Sequence, residues 1–283
     1  MTTRVSVVGP KGCGKTVYLS CLVRAAAVMG RGALRVGEDR AGEYRGDLAT
    51  VANDVLSGRN PGATVAPRWS RLRVGLEGAR LGDLGSLDVP IEVTDLPGED
   101  SLPPPGGRPS TAAVEAVAKS DGILLLVPAD LDDDGAEALG SGLARLFEAA
   151  AATRGVGRDR PLFMRMAAGI TKTELLYLED GPRAKQELQR TAAHQSEVVR
   201  YFEEIAGANC LKLLRGATAK GGVHVSFVSA YGFIPSGRPA CVRDGQGWKL
   251  PVHDGEEFFE GWRPFGVFEP LEFLAAGRVT RTP

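Results

Sequence analysis

Residues 7–22, VVGPKGCGKTVYLSCL, restrict the fold of this 283-residue chain more than any other stretch. Residues 4–8, RVSVV, predict a strand that runs directly into a glycine-rich turn. Residues 15–29 then have the apolar periodicity of a helix. A strand, a glycine-rich turn and a helix in this order bring several backbone N–H groups and the positive end of a helix dipole to one point. The stretch therefore predicts a phosphate-binding site at this turn.

The turn matches the spacing G-x-x-x-x-G-K-S/T of a phosphate-binding loop. We expect the Lys15 ammonium to bridge the β- and γ-phosphates of a nucleotide and the Thr16 hydroxyl to bind Mg²⁺. A chance match in a glycine-rich chain is the alternative, and the position between a strand and a helix argues against it. The residues expected to hold the phosphates are Gly9, Pro10, Lys11, Gly12, Cys13, Gly14, Lys15, Thr16 and Val17.

Strand and helix patterns alternate along most of the chain after residue 110. The apolar run GILLLVP, residues 122–128, is typical of a parallel strand that is buried on both faces. Residues 68–78 and 88–95 have no helical pattern between them, so they should pair as an antiparallel hairpin. We therefore predict an α/β fold of three α/β/α layers, with a mostly parallel sheet and one antiparallel edge strand.

The composition excludes several classes of function. A net charge of −1 gives no basic field for nucleic acid or anionic lipid. The four cysteines form no C-x-x-C pair, which favours a reducing, cytoplasmic setting. No apolar run is long enough to cross a bilayer, and the first strand begins too early to leave room for a signal peptide.

The stretch IEVTDLPGED places an acid at the end of an apolar strand. Asp95 is placed to reach Mg²⁺, directly or through water. Gly98 completes the pattern D-x-x-G, whose glycine N–H can sense a γ-phosphate. The pattern alone is a common turn, and it gains meaning from its position on a strand downstream of a phosphate-binding loop.

Two further motifs follow later strands. In GITKTELL, residues Thr171, Lys172 and Glu174 resemble the N/T-K-x-D base-recognition motif of GTPases, with glutamate in place of aspartate. A carboxylate there would accept hydrogen bonds from guanine N1–H and N2–H₂, a pair that adenine does not offer. The alternative is a helix N-terminus with a glutamate in its first turn. Ser229 and Ala230, in FVSAYG, resemble the S-A-x motif whose backbone N–H groups contact guanine O6.

These four elements, in this order, resemble the TRAFAC class of P-loop GTPases, which includes the Ras-like small GTPases. The resemblance runs from residue 4 to about residue 232. More narrowly, GPKGCGKTVYLSCL and the C-terminal RPFGVFEPLEFL are similar to the bacterial double-GTPase group. The resemblance implies a P-loop GTPase domain over residues 1–240, with residues 241–283 as a C-terminal extension packed on it. It also implies GTP or GDP as ligand, Mg²⁺ as cofactor, and a protein effector or activating partner.

The resemblance also implies a switch threonine before the strand at residue 68, and Thr64 is the candidate for the third metal ligand. An ordinary loop threonine is the equal alternative. The candidate catalytic residues are Lys15, Gly98 and Glu99.

The chain departs from the Ras-like pattern at two positions. Glu99 stands where those enzymes carry the glutamine that orients water, and Lys11 stands where finger-accepting relatives carry glycine. Arg68 and Arg108 are the arginines near the switch segments. Because an arginine finger can accelerate hydrolysis by thousands-fold, we expect slow hydrolysis without a partner.

The sequence leaves two other functions open. A P-loop ATPase or a small-molecule kinase would use the same phosphate-binding loop, although a kinase should also carry an arginine-rich lid. A nucleotide-binding interaction module with little hydrolysis is the second alternative, and both Glu99 and Lys11 favour it.

Overall fold

The computed structural model describes most of the chain. The described residues are 3–28, 34–37, 70–76, 90–104, 106–157, 160–234, 236–240, 242–244, 247–249 and 263–277. Thr64 and Arg68 therefore lie outside the described residues.

The described strands and helices follow the alternation that the sequence predicts. The strands are β1 (Thr3–Val8), β2 (Leu34–Gly37), β3 (Ser70–Leu76), β4 (Pro90–Asp95), β5 (Gly122–Pro128), β6 (Arg165–Thr171), β7 (Val223–Phe227), β8 (Ser229–Phe233), β9 (Val242–Asp244), β10 (Gly247–Lys249) and β11 (Arg263–Phe265). The α-helices are α1 (Lys15–Val28), α2 (Gly98–Ser101), α3 (Thr111–Ala118), α4 (Asp133–Arg154), α5 (Ala184–Ala192), α6 (Gln195–Ala206), α7 (Ala208–Ala217) and α8 (Glu269–Ala276). A 3₁₀ helix covers Thr173–Arg183.

The main sheet has the strand order β2-β3-β4-β1-β5-β6-β7. Strands β4, β1, β5, β6 and β7 are mutually parallel. Strand β3 is antiparallel to β4, with Val74 opposite Ile91, which confirms the predicted hairpin. The antiparallel strand is second from the edge, because β2 pairs outside it, and the sequence pattern did not indicate β2.

Helices cover both faces of this sheet. Along β5, Leu124 and Leu126 pack into one core with α1 and α8. Ile123, Leu125 and Val127 pack into the other core, with α3, α4, α6 and α7. This alternation explains why residues 122–128 form an uninterrupted apolar run. The fold is the predicted three-layer α/β/α arrangement of a P-loop NTPase.

Local capping signals fix the ends of the long helix α4. The Asp132 carboxylate accepts a hydrogen bond from Gly135 N–H at 2.8 Å and so caps the first turn of this helix. At the other end, Gly155 adopts a left-handed conformation with φ of 65°, and its N–H bonds to carbonyls of the last turn.

The C-terminal segment packs against the same body. Tyr18, on α1, donates its hydroxyl to the Val267 carbonyl at 2.7 Å. The Arg165 guanidinium donates to the carbonyls of Leu274 and Ala275, at 3.0 and 2.9 Å, near the end of α8. The contacts of Arg165 tie α8 to β6, while the division at residue 240 stays a prediction.

Among the described residues, no helix has the length and apolar character needed to cross a membrane.

The pairing of β8 with β11 requires glycine at one position. Gly232 has a φ of +66°, and a Cβ there would collide with the Arg263 carbonyl. We expect Gly232→Ala to lower the free energy of unfolding by about 2–4 kcal/mol, measured by urea denaturation. Gly140→Ala is the matched control, because a Cβ at this helical position meets nothing within 4 Å. It should stabilise the protein by about 0.5–1 kcal/mol, and an equal loss in both variants would contradict the expectation.

Candidate functional site

The predicted site residues that the structure describes lie at one edge of the sheet. The phosphate-binding loop follows β1, Asp95 ends β4, and Thr171 ends β6. The parallel register places Val7 opposite Asp95 and Pro128 opposite Thr171, so these strands end at the same level. In open α/β sheets ligands bind at this carboxyl edge.

Glycines shape the phosphate-binding loop for two different reasons. A Cβ on Gly9 would lie 2.7 Å from Cys13 Sγ and would also strike the Leu126 carbonyl, so Gly9 is required by space. Gly12 and Gly14 have φ values of +77° and +87° with open space around them, so they are required by conformation. A side chain at any of these three positions would therefore disturb the loop.

Lys15 lies over the loop rather than in solvent. Its ammonium donates to the carbonyls of Gly9 at 2.8 Å and Pro10 at 3.1 Å. The side chain is only 8% exposed. Its charge is therefore held against the loop backbone. Burial also raises the pKa of the adjacent Cys13 thiol, which keeps that thiol protonated.

Thr16 and Asp95 form an oxygen pair at the start of α1. The Thr16 hydroxyl donates to Asp95 Oδ2 at 3.3 Å, and Asp95 Oδ1 is buried without a hydrogen-bond partner. Burial raises the pKa of Asp95 to about 6, against the opposing influence of Lys15 and Thr16. A hydroxyl and a carboxylate with one free oxygen fit Mg²⁺, which takes few protein ligands and completes its shell with water and phosphate. The described residues hold no cluster of three or more His, Cys, Asp or Glu for a metal.

Gly98 lies directly against the phosphate-binding loop. A Cβ there would lie 2.7 Å from Lys11 N, so only glycine allows this contact. The next residue, Glu99, forms an ion pair with Lys11, and the two side chains are 57% and 70% exposed. The two residues that depart from the Ras-like pattern therefore contact each other, which their separation in sequence did not reveal. Arg108 is exposed, on the segment after α2.

The end of β6 is bonded to the phosphate-binding loop. The Thr171 hydroxyl donates to the Cys13 carbonyl at 2.7 Å. The next residue, Lys172, adopts a left-handed conformation with φ of 57° and ψ of 33°, which turns the chain sharply. Its ammonium donates to both carboxylate oxygens of Asp130, each at 3.1 Å. Asp130 was not among the predicted site residues, and the only signal for it was an acid two residues beyond a buried parallel strand.

Glu174 is buried beneath this turn. It is 1% exposed, and its Oε2 has no hydrogen-bond partner. Burial raises the pKa of Glu174 to about 7, although the Ser229 hydroxyl donates to the carboxyl group and opposes the shift. Glu174 lies in the first turn of the 3₁₀ helix, as the alternative interpretation expects, but there it is buried rather than solvated.

Ser229 and Ala230 begin β8, which leaves the main sheet to pair with β11. Ser229 Oγ also accepts a hydrogen bond from Gly232 N–H at 2.7 Å. The predicted S-A-x segment is therefore held by its own turn and by the C-terminal strand, next to Glu174.

Comparison with known proteins finds distant structural likeness. No protein-family model matches the sequence, and no curated protein matches it. The chain resembles the solved structure of the signal recognition particle receptor SRb-GTP/SRX complex from Chaetomium thermophilum. The two chains are 16% identical, with a TM-score of 0.40, and the match covers 83% of this chain and 94% of that chain. Sup35 complexed with GDP is 12% identical, with a TM-score of 0.32 and coverage of 92% and 43%.

A third such structure is the S. cerevisiae Ski7 GTPase-like domain, bound to GDP and inorganic phosphate. It is 8% identical, with a TM-score of 0.39 and coverage of 92% of this chain and 48% of that chain. This chain thus spans less than half the length of the Sup35 and Ski7 chains. These likenesses are too distant to assign a function.

The two buried acids should make stability depend on pH. Their raised pKa values mean that the folded protein binds extra protons between the ordinary carboxyl range and about pH 6 for Asp95 or about pH 7 for Glu174. The free energy of unfolding should therefore fall as pH rises through these values.

Without nucleotide or metal, we expect Asp95→Asn and Glu174→Gln each to raise the free energy of unfolding by about 1–3 kcal/mol at pH 8. The gain should be much smaller at pH 5, where the acids are protonated already. Glu148→Gln, which changes an exposed acid on α4, is the control and should have little effect at either pH. Denaturant titrations at both pH values measure the difference, and gains that do not depend on pH would contradict it.

Proposed function

We propose that this chain is a GTP-binding regulatory switch that hydrolyses GTP slowly and is read by a protein partner. The observation that carries the proposal is the hydrogen bond from the Thr171 hydroxyl to the Cys13 carbonyl, 2.7 Å long. It joins a loop suited to phosphates to a turn suited to a base, so that one nucleotide would contact both. Within the proposal, residues 1–240 form the nucleotide-binding domain and residues 241–283 an extension, as in the double-GTPase group.

The base-binding residues favour guanine over adenine. Glu174 Oε2 is a buried acceptor without a donor, and burying such a group costs free energy unless a ligand satisfies it. Guanine N1–H and N2–H₂ are donors of the required kind, whereas adenine presents an acceptor at N1. Ser229 and Ala230 would complete the base site through their backbone.

The phosphate end supplies charge and orientation. Lys15 would move from the loop carbonyls onto the β- and γ-phosphates, and Gly98 would offer its N–H to the γ-phosphate. Thr16 and Asp95, with Thr64, would hold Mg²⁺, which when bound neutralises phosphate charge. The reaction is in-line attack of water on the γ-phosphate, giving GDP and phosphate.

Glu99 and its ion pair with Lys11 support slow hydrolysis. A carboxylate near a γ-phosphate repels it, and the Lys11 ion pair directs this carboxylate toward the loop. A switch of this kind would stay on until a partner supplies the missing charge, and the segment from Asp95 to Arg108 would change course when the γ-phosphate leaves.

Calorimetry with GDP and ADP tests the base. We expect GDP to bind the wild type at least about tenfold more tightly than ADP, because Glu174 accepts two hydrogen bonds from guanine alone. Glu174→Ala should abolish this preference and leave ADP binding unchanged. If ADP binds the wild type as tightly as GDP, the guanine assignment is wrong and an ATPase or kinase is favoured.

Phosphate release from GTP tests the rate. We expect the wild type to turn over at about 10⁻³ s⁻¹ or more slowly without a partner. Glu99→Gln should be several-fold faster, because an amide can orient water without repelling the γ-phosphate. Asp100→Asn, the adjacent acid in α2, is the matched control and should leave the rate unchanged. Fast turnover by the wild type would contradict the proposal of a slow switch.

A further inference from the structure

Lys172 lies between two acids and pairs with the more exposed one. Its ammonium donates to both oxygens of the Asp130 carboxylate, each at 3.1 Å. Glu174, two residues along the chain, keeps a buried oxygen with no hydrogen-bond partner. A buried carboxylate would gain more from a cation than an exposed one does, so the position of the ammonium needs an explanation.

Backbone contacts place Asp130 next to Lys172. Pro128, the last residue of β5, is in register with Thr171, the last residue of β6. The Ala129 N–H then donates to the Thr171 carbonyl at 2.8 Å, so the two strand ends continue side by side. Asp130 and Lys172 are therefore carried to the same level by neighbouring strands.

The backbone of Lys172 turns its side chain toward Asp130. Within the described residues, Lys172 is the one non-glycine residue with a positive φ, a conformation that residues with a Cβ seldom adopt. The same turn sends Glu174 into the interior. One left-handed residue thus separates the ammonium from the carboxylate that follows it.

Three side chains act on the pKa of the Glu174 carboxyl, besides its burial and its own backbone. Burial has the largest effect and raises its pKa, the Ser229 hydroxyl and the Lys172 ammonium lower it, and the Asp130 charge raises it. The Cys21 thiol also faces it, from α1. Of these groups, only the ammonium of Lys172 could occupy the free oxygen as a charged donor.

We propose that Asp130 is a specificity-determining residue of the nucleotide site, because it holds the Lys172 ammonium away from Glu174 and leaves that carboxylate to accept hydrogen bonds from guanine. The guanine part of this inference rests on the proposed function. In the absence of the Asp130 carboxylate, Lys172 pairs with Glu174 and competes with the base. Asp130 itself is a positioning residue that acts through Lys172.

Nucleotide affinity in four proteins tests this competition: the wild type, Asp130→Ala, Lys172→Met, and the double variant Asp130→Ala/Lys172→Met. We expect Asp130→Ala to bind GDP about tenfold to hundredfold more weakly than the wild type, with ADP affinity unchanged. The double variant should recover the GDP affinity of Lys172→Met, because methionine keeps the apolar stem and has no ammonium to occupy Glu174. Glu115→Ala removes the carboxylate from another lysine pair, on α3, and is the control that should change nothing.

The free energy of unfolding, measured at pH 8 without ligand, tests whether Asp130 keeps Lys172 from pairing with Glu174, independently of the base. Glu174→Gln should stabilise the protein in the wild-type background and should not do so in the Asp130→Ala background, where Lys172 already compensates the buried charge. Equal stabilisation in both backgrounds would overturn the inference. A purely structural role for Asp130 would lower the stability of both backgrounds alike without this dependence.

The results separate the two proposals. If the wild type prefers GDP but Asp130→Ala binds GDP as tightly, or the double variant is not rescued, the inference is wrong and the guanine assignment stands. If the wild type shows no preference for GDP but the unfolding measurements give the expected result, the proposed function is wrong. The inference that Asp130 keeps Lys172 from pairing with Glu174 then stands.

Discussion

The site depends on the close approach of backbone to backbone at two glycines. Gly9 touches the Leu126 carbonyl region of β5, and a Cβ on Gly98 would lie 2.7 Å from Lys11 N. These contacts fix the loop against β5 on one side and against the end of β4 on the other. Asp95 and Thr171 reach their partners only because the loop is held at this depth. Larger residues at either glycine would separate the phosphate end of the site from the rest.

The two buried acids at this edge of the sheet lower the free energy of unfolding. Asp95 and Glu174 each keep one oxygen without a partner, and burial raises the pKa of both. An apolar or amide side chain would be less costly at either position, so folding alone does not explain them. Each free oxygen matches one end of a nucleotide with its metal: a cation for Asp95 and amide-like donors for Glu174. Binding of the proposed nucleotide and metal would recover this cost in the folded protein.

The sequence predicted what depends on local pattern and missed what depends on the meeting of distant residues. The Gly9–Thr16 spacing, the apolar run of β5 and the acid at Asp95 are local signals, and the fold confirms the elements that they predict. Strand β2 lacks a sequence signal, because four residues are too few to show a period. The Lys172–Asp130 and Lys11–Glu99 pairs join residues far apart in the chain, so only the strand order brings them together. The roles of Thr64 and the Ser229–Ala230 backbone stay predictions.

The acids around the site divide into two kinds, and burial decides which kind each one is. Glu99 and Asp130 are exposed enough to be solvated, and each pairs with a lysine of the site. The Lys11–Glu99 pair is mostly exposed, and such a pair contributes about 0–1 kcal/mol, so Lys11 can leave Glu99 at little cost when a stronger anion arrives. Asp95 and Glu174 are buried, and neither accepts a hydrogen bond from a lysine. A buried ion pair at either position would be costly to break and would leave no free carboxylate oxygen for a ligand. A site that binds a charged ligand and later releases it needs weak ion pairs at its surface and buried carboxylates whose hydrogen bonds the ligand completes.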